Sequence, residues 1–162
     1  TARFKKPFDA AFNSINSIGY LHSDNDFLSH LRVMADSLKP GGIYIVHLNC
    51  GPEIIPENEP EPWTCERDGV RVTTTWGGDH EDLEKRLSHQ YCLMEIEKNG
   101  KIQTFRESHT VRLWLFENWL DCIERSGVFT LDAVYTERGV MVPPGTSITG
   151  AHGNLYHLLK VR

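Results

Sequence analysis

The chain has 162 residues, 40% hydrophobic and 24% charged, which suits one globular domain with a core of its own. A formal net charge of −5 excludes a dedicated nucleic-acid binder with a basic face. No apolar run reaches the roughly 18 residues that span a bilayer, and the charged start, Thr1–Lys6, has no long apolar region behind it and does not read as a secretory signal. The four cysteines, Cys50, Cys65, Cys92 and Cys122, form no C-x-x-C pair. They read as free thiols of an intracellular, cytoplasmic protein. The close Cys and His spacings of structural zinc sites are absent, so no metal is expected.

In chain order, Phe8–Phe12 is a short apolar run between Pro7 and the polar pair Asn13-Ser14, and predicts a buried strand. Asn13 to Asp26 reads as a loop, with helix N-cap candidates in Ser23-Asp24-Asn25-Asp26. Phe27, Leu28, Leu31, Met34, Ala35 and Leu38 then recur at three- and four-residue steps and mark one apolar helix stripe. Lys39-Pro40-Gly41-Gly42 stops that helix, because proline cannot continue it and glycine tolerates the turn that follows. Ile43–Val46 is predicted as a strand, apolar on both faces as if covered by helices. Strand, helix, strand in this order implies a right-handed parallel crossover.

The character changes at Gly51–Trp63, where Pro52, Pro56, Pro60 and Pro62 alternate with acidic residues in an irregular excursion. Three antiparallel strands are predicted after it: Arg67–Trp76, with Asp68-Gly69 as a tight turn near its start, Leu87–Glu97 and Lys101–Leu113. Asn99-Gly100 between the last two is a hairpin signal. A helix at Phe116–Ser126 carries Trp119, Leu120 and Ile123 on one stripe, with Gly127 as its stop. Strands Val128–Thr136 and Leu155–Val161 follow, joined by a Gly/Pro-rich loop, Gly139–Asn154.

Four motifs in this order carry a resemblance. They are FDAAFNSINSIGYL (Phe8–Leu21), LKPGG with its strand (Leu38–Val46), LWLFENWLDCIERSG (Leu113–Gly127) and NLYHLLKVR (Asn154–Arg162). Together the chain resembles the second half of a class I S-adenosylmethionine-dependent methyltransferase of the small-molecule type. The resemblance implies an α/β fold: a partial Rossmann-like sheet holding the fourth, fifth, seventh and sixth strands of the family plan, with a three-stranded antiparallel insert over the substrate. Residues 1–49 and 114–162 would form the partial core, and residues 50–113 the excursion and insert.

The family binds its cofactor mainly through a Gly-rich turn after its first strand and an acidic residue ending its second, beyond the carboxyl ends of the strands. Neither occurs before Phe8, so the chain by itself is expected to bind S-adenosylmethionine poorly and to be inactive. The expected partners are a small-molecule methyl acceptor and either a missing N-terminal half or a second copy of the chain.

By the resemblance, Ser14, Ile15 and Asn16 lie near the cofactor, chiefly through backbone groups. Asn and Ser equally suit plain turn hydrogen bonds. His47 and Asn49 share a side of their strand by the two-residue period. Either suits orienting a substrate or, for His47, taking a proton, since histidine ionises near neutral pH; the other reading is a hydrogen-bonded strand end. His109 and Arg112, catalytic candidates with His47, occupy the last insert strand, which by the resemblance folds over the substrate; Arg112 suits a substrate carboxylate or a surface ion pair with Glu107 or Glu117. His89 is a further substrate candidate. The four tryptophans read as core or, less simply, as a cage for a cationic substrate. Methyl transfer needs neither a protein nucleophile nor a metal, because positioning carries much of the rate. The competing reading is a non-catalytic module that pairs with another chain through Phe8–Phe12 as an exposed edge.

Overall fold

The computed structural model describes residues 6–51 and 60–162. Most of the proline-rich excursion, and the start of the chain at Thr1–Lys5, lie outside the described residues. The chain divides into two compact units, one of Thr1–Glu53 with Arg112–Arg162 and the other of Ile54–Val111.

The first unit is built on a four-stranded sheet. Its strands are β1 (Phe8–Asn13), β2 (Leu38–Asn49), β7 (Phe129–Thr136) and β8 (Asn154–Val161), in the order β1-β2-β8-β7. β1 and β2 are parallel, and β8 runs antiparallel to both of its neighbours. The parallel pair requires a crossover, which helix α1 (Asp24–Ser37) supplies. Ser23 caps α1 by accepting from the Asp26 N–H at 3.1 Å, and Asp24 and Asp26 place negative charge in the first turn, where the helix dipole favours it.

The helix stops earlier than LKPGG suggests. It ends at Ser37, and β2 begins at once with Leu38 opposite Phe8. The next pair is Ala10 with Ile43, so Lys39–Gly42 bulge out of the ladder. Gly41 takes φ 74°, and a Cβ on Gly42 would meet the Lys39 carbonyl oxygen at 2.8 Å. The two glycines thus serve a bulged strand entry as well as a helix stop.

One face of β2 points into the core through Tyr44, Val46 and Leu48. Phe27 and Leu31 of α1 cover it together with Trp119 and Ile123 of α2 (Phe116–Ser126). The centre of this core is aromatic: Phe27 lies 4.7 Å from Trp114 and 5.0 Å from Trp119 between ring centroids, all three buried. The opposite face differs from the expectation of a strand covered on both sides. Ile43 and its neighbour strand's Phe12, 57% exposed, stand open there, because both helices pack on the other side. Leu120, expected on the α2 core stripe, is 37% exposed and instead borders a groove with β7 and the β7–β8 loop.

Arg112 is not a surface ion pair with Glu107 or Glu117. Its side chain is 1% exposed, donates to Asp24 Oδ1 and lies 3.9 Å over the Trp114 ring. Asp24 also accepts from Arg125, which reaches Asp121 one helical turn back. The start of α1 is thereby pinned to Arg112 and to the end of α2. His157 on β8 is buried against Phe116 and Trp119, 3.9 Å from Cys50 Sγ. Beside that pair, a single bridge joins Cys50 to Trp114, where the chain leaves and re-enters this unit.

The second unit is a four-stranded antiparallel meander of β3 (Trp63–Arg67), β4 (Val70–Asp82), β5 (Leu87–Lys98) and β6 (Lys101–Arg112). Four strands stand where three were expected. Asp68 and Gly69 both have positive φ, 53° and 72°, so the turn reverses the chain fully and Trp63–Arg67 becomes a strand of its own. Asn99-Gly100 repeats the geometry between β5 and β6. Trp63 and Trp76 are largely exposed on this unit, whereas Trp114 and Trp119 are core.

The hydrogen bonds from Arg112 and then Arg125 hold the Asp24 carboxyl below its ordinary range. Its contribution is therefore complete above the unfolded value near ~3.9 and is lost as pH falls through the lower folded value. Asp24→Asn strands a buried guanidinium and is expected to cost about 3 kcal/mol in urea unfolding at pH 7, with the difference from wild type shrinking only below about pH 4. Burial holds the His157 imidazole down to about 4. The unfolded chain protonates it near ~6.5, so stability falls as pH drops from ~6.5 to about 4 and the effect then levels off. His157→Leu should flatten that slope by about 3 kcal/mol across the window, measured by urea midpoints at several pH values.

Candidate functional site

The carboxyl ends of β1 and β2 lie side by side, because the two strands are parallel, and this is where sheets of this class collect ligands. After Asn13 the chain makes a loop that ends in a 3-10 turn, Ser17–Tyr20, with Ile18 and Gly19 buried. Ile15 and Asn16 are both left-handed, at φ 54° and 50°. Asparagine accepts this region; a β-branched isoleucine enters it at a cost of roughly 1–2 kcal/mol. The Ile15 side chain is 82% exposed, so packing does not offset that cost.

Hydrogen bonds hold the loop instead. The Ile15 N–H donates to His47 Nδ1 at 3.2 Å, and the Asn16 N–H donates to the His47 carbonyl oxygen at 3.1 Å. Ser17 donates to the Ser14 carbonyl through both its N–H, at 3.1 Å, and its hydroxyl, at 2.6 Å. On the far side of the His47 ring, Nε2 lies 3.1 Å from Glu137 Oε1, and Tyr156 stacks on its face at 4.6 Å. Since Nδ1 accepts, the ring hydrogen sits on Nε2 and is donated to Glu137.

Three side-chain oxygens nearby are buried with no hydrogen-bond partner among the described residues: Oδ1 of Asn13, Asn16 and Asn49. Buried acceptors without donors are uncommon and costly, and they mark places where a ligand or water donates. Asn49 lies two residues beyond His47, on the same side of β2, opposite Asn154 of β8.

The structure thus brings Ser14, Ile15, Asn16 and His47 into one hydrogen-bonded group, with Asn49 at the same strand end. Arg112 belongs to the same unit but is closed against Asp24 and Trp114. His89 and His109 lie in the antiparallel unit. His109 stacks on Trp76 at 4.8 Å, and His89 stacks on His80 at 4.3 Å while its Nδ1 meets the Thr110 hydroxyl at 3.2 Å. Glu137 and Tyr156 did not stand out in the sequence. Glu137 follows the end of β7, and Tyr156 is recognisable as a site neighbour only once it is known to pair with His47.

Beyond Asn49, Cys50 and Gly51 border a cleft of about 370 Å³ with the start of α2 and Ser147–Gly150. Burial pushes the Cys50 thiol up to about 12, so it stays protonated and is no nucleophile. Among the described residues no group of three or more His, Cys, Asp or Glu side chains is placed to hold a metal ion. No helix among them is long and apolar enough to cross a membrane. What the loop and the two strand ends offer is orientation by backbone and carboxamide groups.

By sequence, the chain matches no protein-family model and no curated protein. By structure it is similar to several solved proteins, methyltransferases among them. It superposes on DesVI of Streptomyces venezuelae with a TM-score of 0.73 at 18% identity, covering 99% of this chain and 61% of that one. For CalS10 of Micromonospora echinaspora, an amino pentose methyltransferase solved with S-adenosylmethionine bound, the values are 0.71 and 14%, over 100% and 61%. For an S-adenosylmethionine-dependent methyltransferase of Clostridium acetobutylicum they are 0.70 and 17%, over 99% and 61%. At these identities the likeness is one of fold. The described residues adopt the mixed α/β fold of those proteins, and the chain spans about three-fifths of their length.

Proposed function

We propose that the chain is the C-terminal part of an S-adenosylmethionine-dependent methyltransferase that acts on a small molecule. The observation that carries the reading is the sheet. A parallel pair, β1 and β2, is followed by the reversed β8 lying between β2 and β7. Read on the methyltransferase plan, these are the fourth, fifth, seventh and sixth strands. Its structural neighbours include the amino pentose methyltransferase CalS10 and the sugar N-methyltransferase KedS8. A small, polar acceptor for this chain is inferred from that company.

In this reading Ser14, Ile15 and Asn16 hold the cofactor from the loop after β1. The unpartnered oxygens of Asn13 and Asn16 suit its ammonium and hydroxyl donors, so the residues present fit the part of the group that they would meet. When bound, S-adenosylmethionine supplies an electrophilic methyl group. The protein's share is to hold an acceptor atom in line and keep its approach unhindered. Asn49, at the same strand end, suits a donor on the acceptor. His89, His109 and Arg112 have other occupations, in ring stacks and an ion pair, and are not needed here.

The second reading is a non-catalytic module, and one observation favours it. Among the described residues β1 lies at the edge of its sheet, with Phe8 and Phe12 exposed, which is a template for another strand. In the enzyme reading that edge takes the rest of the sheet, from the same polypeptide or from a second copy.

Titration calorimetry with S-adenosylhomocysteine, with the solution mass measured alongside, separates the two. The 162-residue chain alone is expected to bind undetectably and to self-associate. The chain joined to the segment encoded upstream of it should bind with micromolar affinity and remain a defined species. Absence of binding in both forms would remove the methyltransferase reading and leave the pairing module.

A further inference from the structure

The left-handed pair Ile15–Asn16 has two backbone donors, and one residue takes both. His47 accepts from Ile15 through its ring and from Asn16 through its carbonyl. The ring is 12% exposed and held on two further sides, by Glu137 at Nε2 and by Tyr156 on its face. Each contact comes from a different element: the loop after β1, the turn after β7, and β8.

We propose that His47 is a positioning residue, a clasp that keeps the Ile15–Asn16 loop in its left-handed form. Glu137 is its orienting partner. The Glu137 carboxylate can only accept, so it selects the tautomer with hydrogen on Nε2. That tautomer leaves a lone pair on Nδ1, which is what the Ile15 N–H requires. A histidine committed at both nitrogens has no free position with which to take a proton from a substrate. Its contribution to the site is the shape of the loop. The assignment of the loop to a cofactor rests on the methyltransferase reading; the clasp itself does not.

The test uses the 162-residue chain. Imidazole ¹⁵N shifts of His47 report its tautomer, and amide hydrogen exchange reports the loop. The wild type is expected to show hydrogen on Nε2 and a protected Ile15 amide. His47→Asn keeps an acceptor where Nδ1 stood and should hold Ile15 protection within about threefold. His47→Gln moves the acceptor outward and should lower Ile15 protection at least tenfold, while Asn16, bonded to a main-chain oxygen, falls less. Glu137→Gln should mix the tautomers and lower Ile15 protection in part.

Amides of β8 and α2 control for global unfolding. Should His47→Gln lose those as well, the wild-type tautomer and Glu137→Gln still decide the matter. Hydrogen on Nδ1 in the wild type, or Ile15 exchange indifferent to His47→Gln, overturns the proposal. None of these readouts involves the cofactor. Failure of S-adenosylhomocysteine to bind the extended chain would sink the enzyme reading and leave the clasp standing.

Discussion

The first unit depends on the ladder between β2 and β8. Its residues come from two stretches of chain, before and after a long excursion, and helices alone would join them only by packing. β8 lies between β2 and β7, pairing Ile43–Asn49 on one side and Phe129–Thr136 on the other. It also delivers Leu155, His157 and Leu159 to the core. Two rows of backbone hydrogen bonds and one row of buried side chains thus pass through eight residues. Without them β7 would have no strand to join it to β2.

That ladder also sets the site. It places Tyr156 opposite His47 and Asn154 opposite Asn49, and it brings the turn after β7 within reach of the His47 ring. The loop after β1 is then shaped by groups that are distant in sequence. Electrostatics act in the same way at the other end of the unit, where Asp24 gathers Arg112 and Arg125 from segments that follow the excursion. The unit is discontinuous in sequence, and Asp24–Arg112, Asp24–Arg125 and His47–Glu137 join its two stretches.

What could be read from the sequence follows from range. Local signals did well. The cap at Ser23, the stripe of Phe27 and Leu31, and the Asn99-Gly100 turn each depend on neighbours a few residues away. Asp68-Gly69 was seen as a turn, but a two-residue left-handed reversal demands a partner strand on each side, and Trp63–Arg67 was short, exposed and next to prolines. The mixed character of β2, buried on one face and open on the other, is invisible in an apolar run such as Ile43-Tyr44-Ile45-Val46. Contacts over 88 and 90 residues, Arg112 with Asp24 and Glu137 with His47, leave no periodicity to detect. Only likeness to a family points to Ser14, Ile15 and Asn16 in the sequence. The left-handed backbone at Ile15 and Asn16 and the unpartnered Oδ1 atoms of Asn13 and Asn16 are a separate, physical reason to look there.

The bridge between Cys50 and Trp114 marks the place where the excursion departs and returns. Because the two ends of that excursion meet, its length bears only weakly on stability: the entropy of closing a loop grows with the logarithm of its size. Kinetics are another matter. β2 is finished long before its partner β8 exists, and the whole intervening stretch must be synthesised first. During that interval the half-made sheet shows bare strands to the cell, which is when such chains aggregate or recruit chaperones. A protein of this plan can therefore exchange its inserted unit for another over evolution at little thermodynamic penalty, while every lengthening prolongs the vulnerable period of its birth.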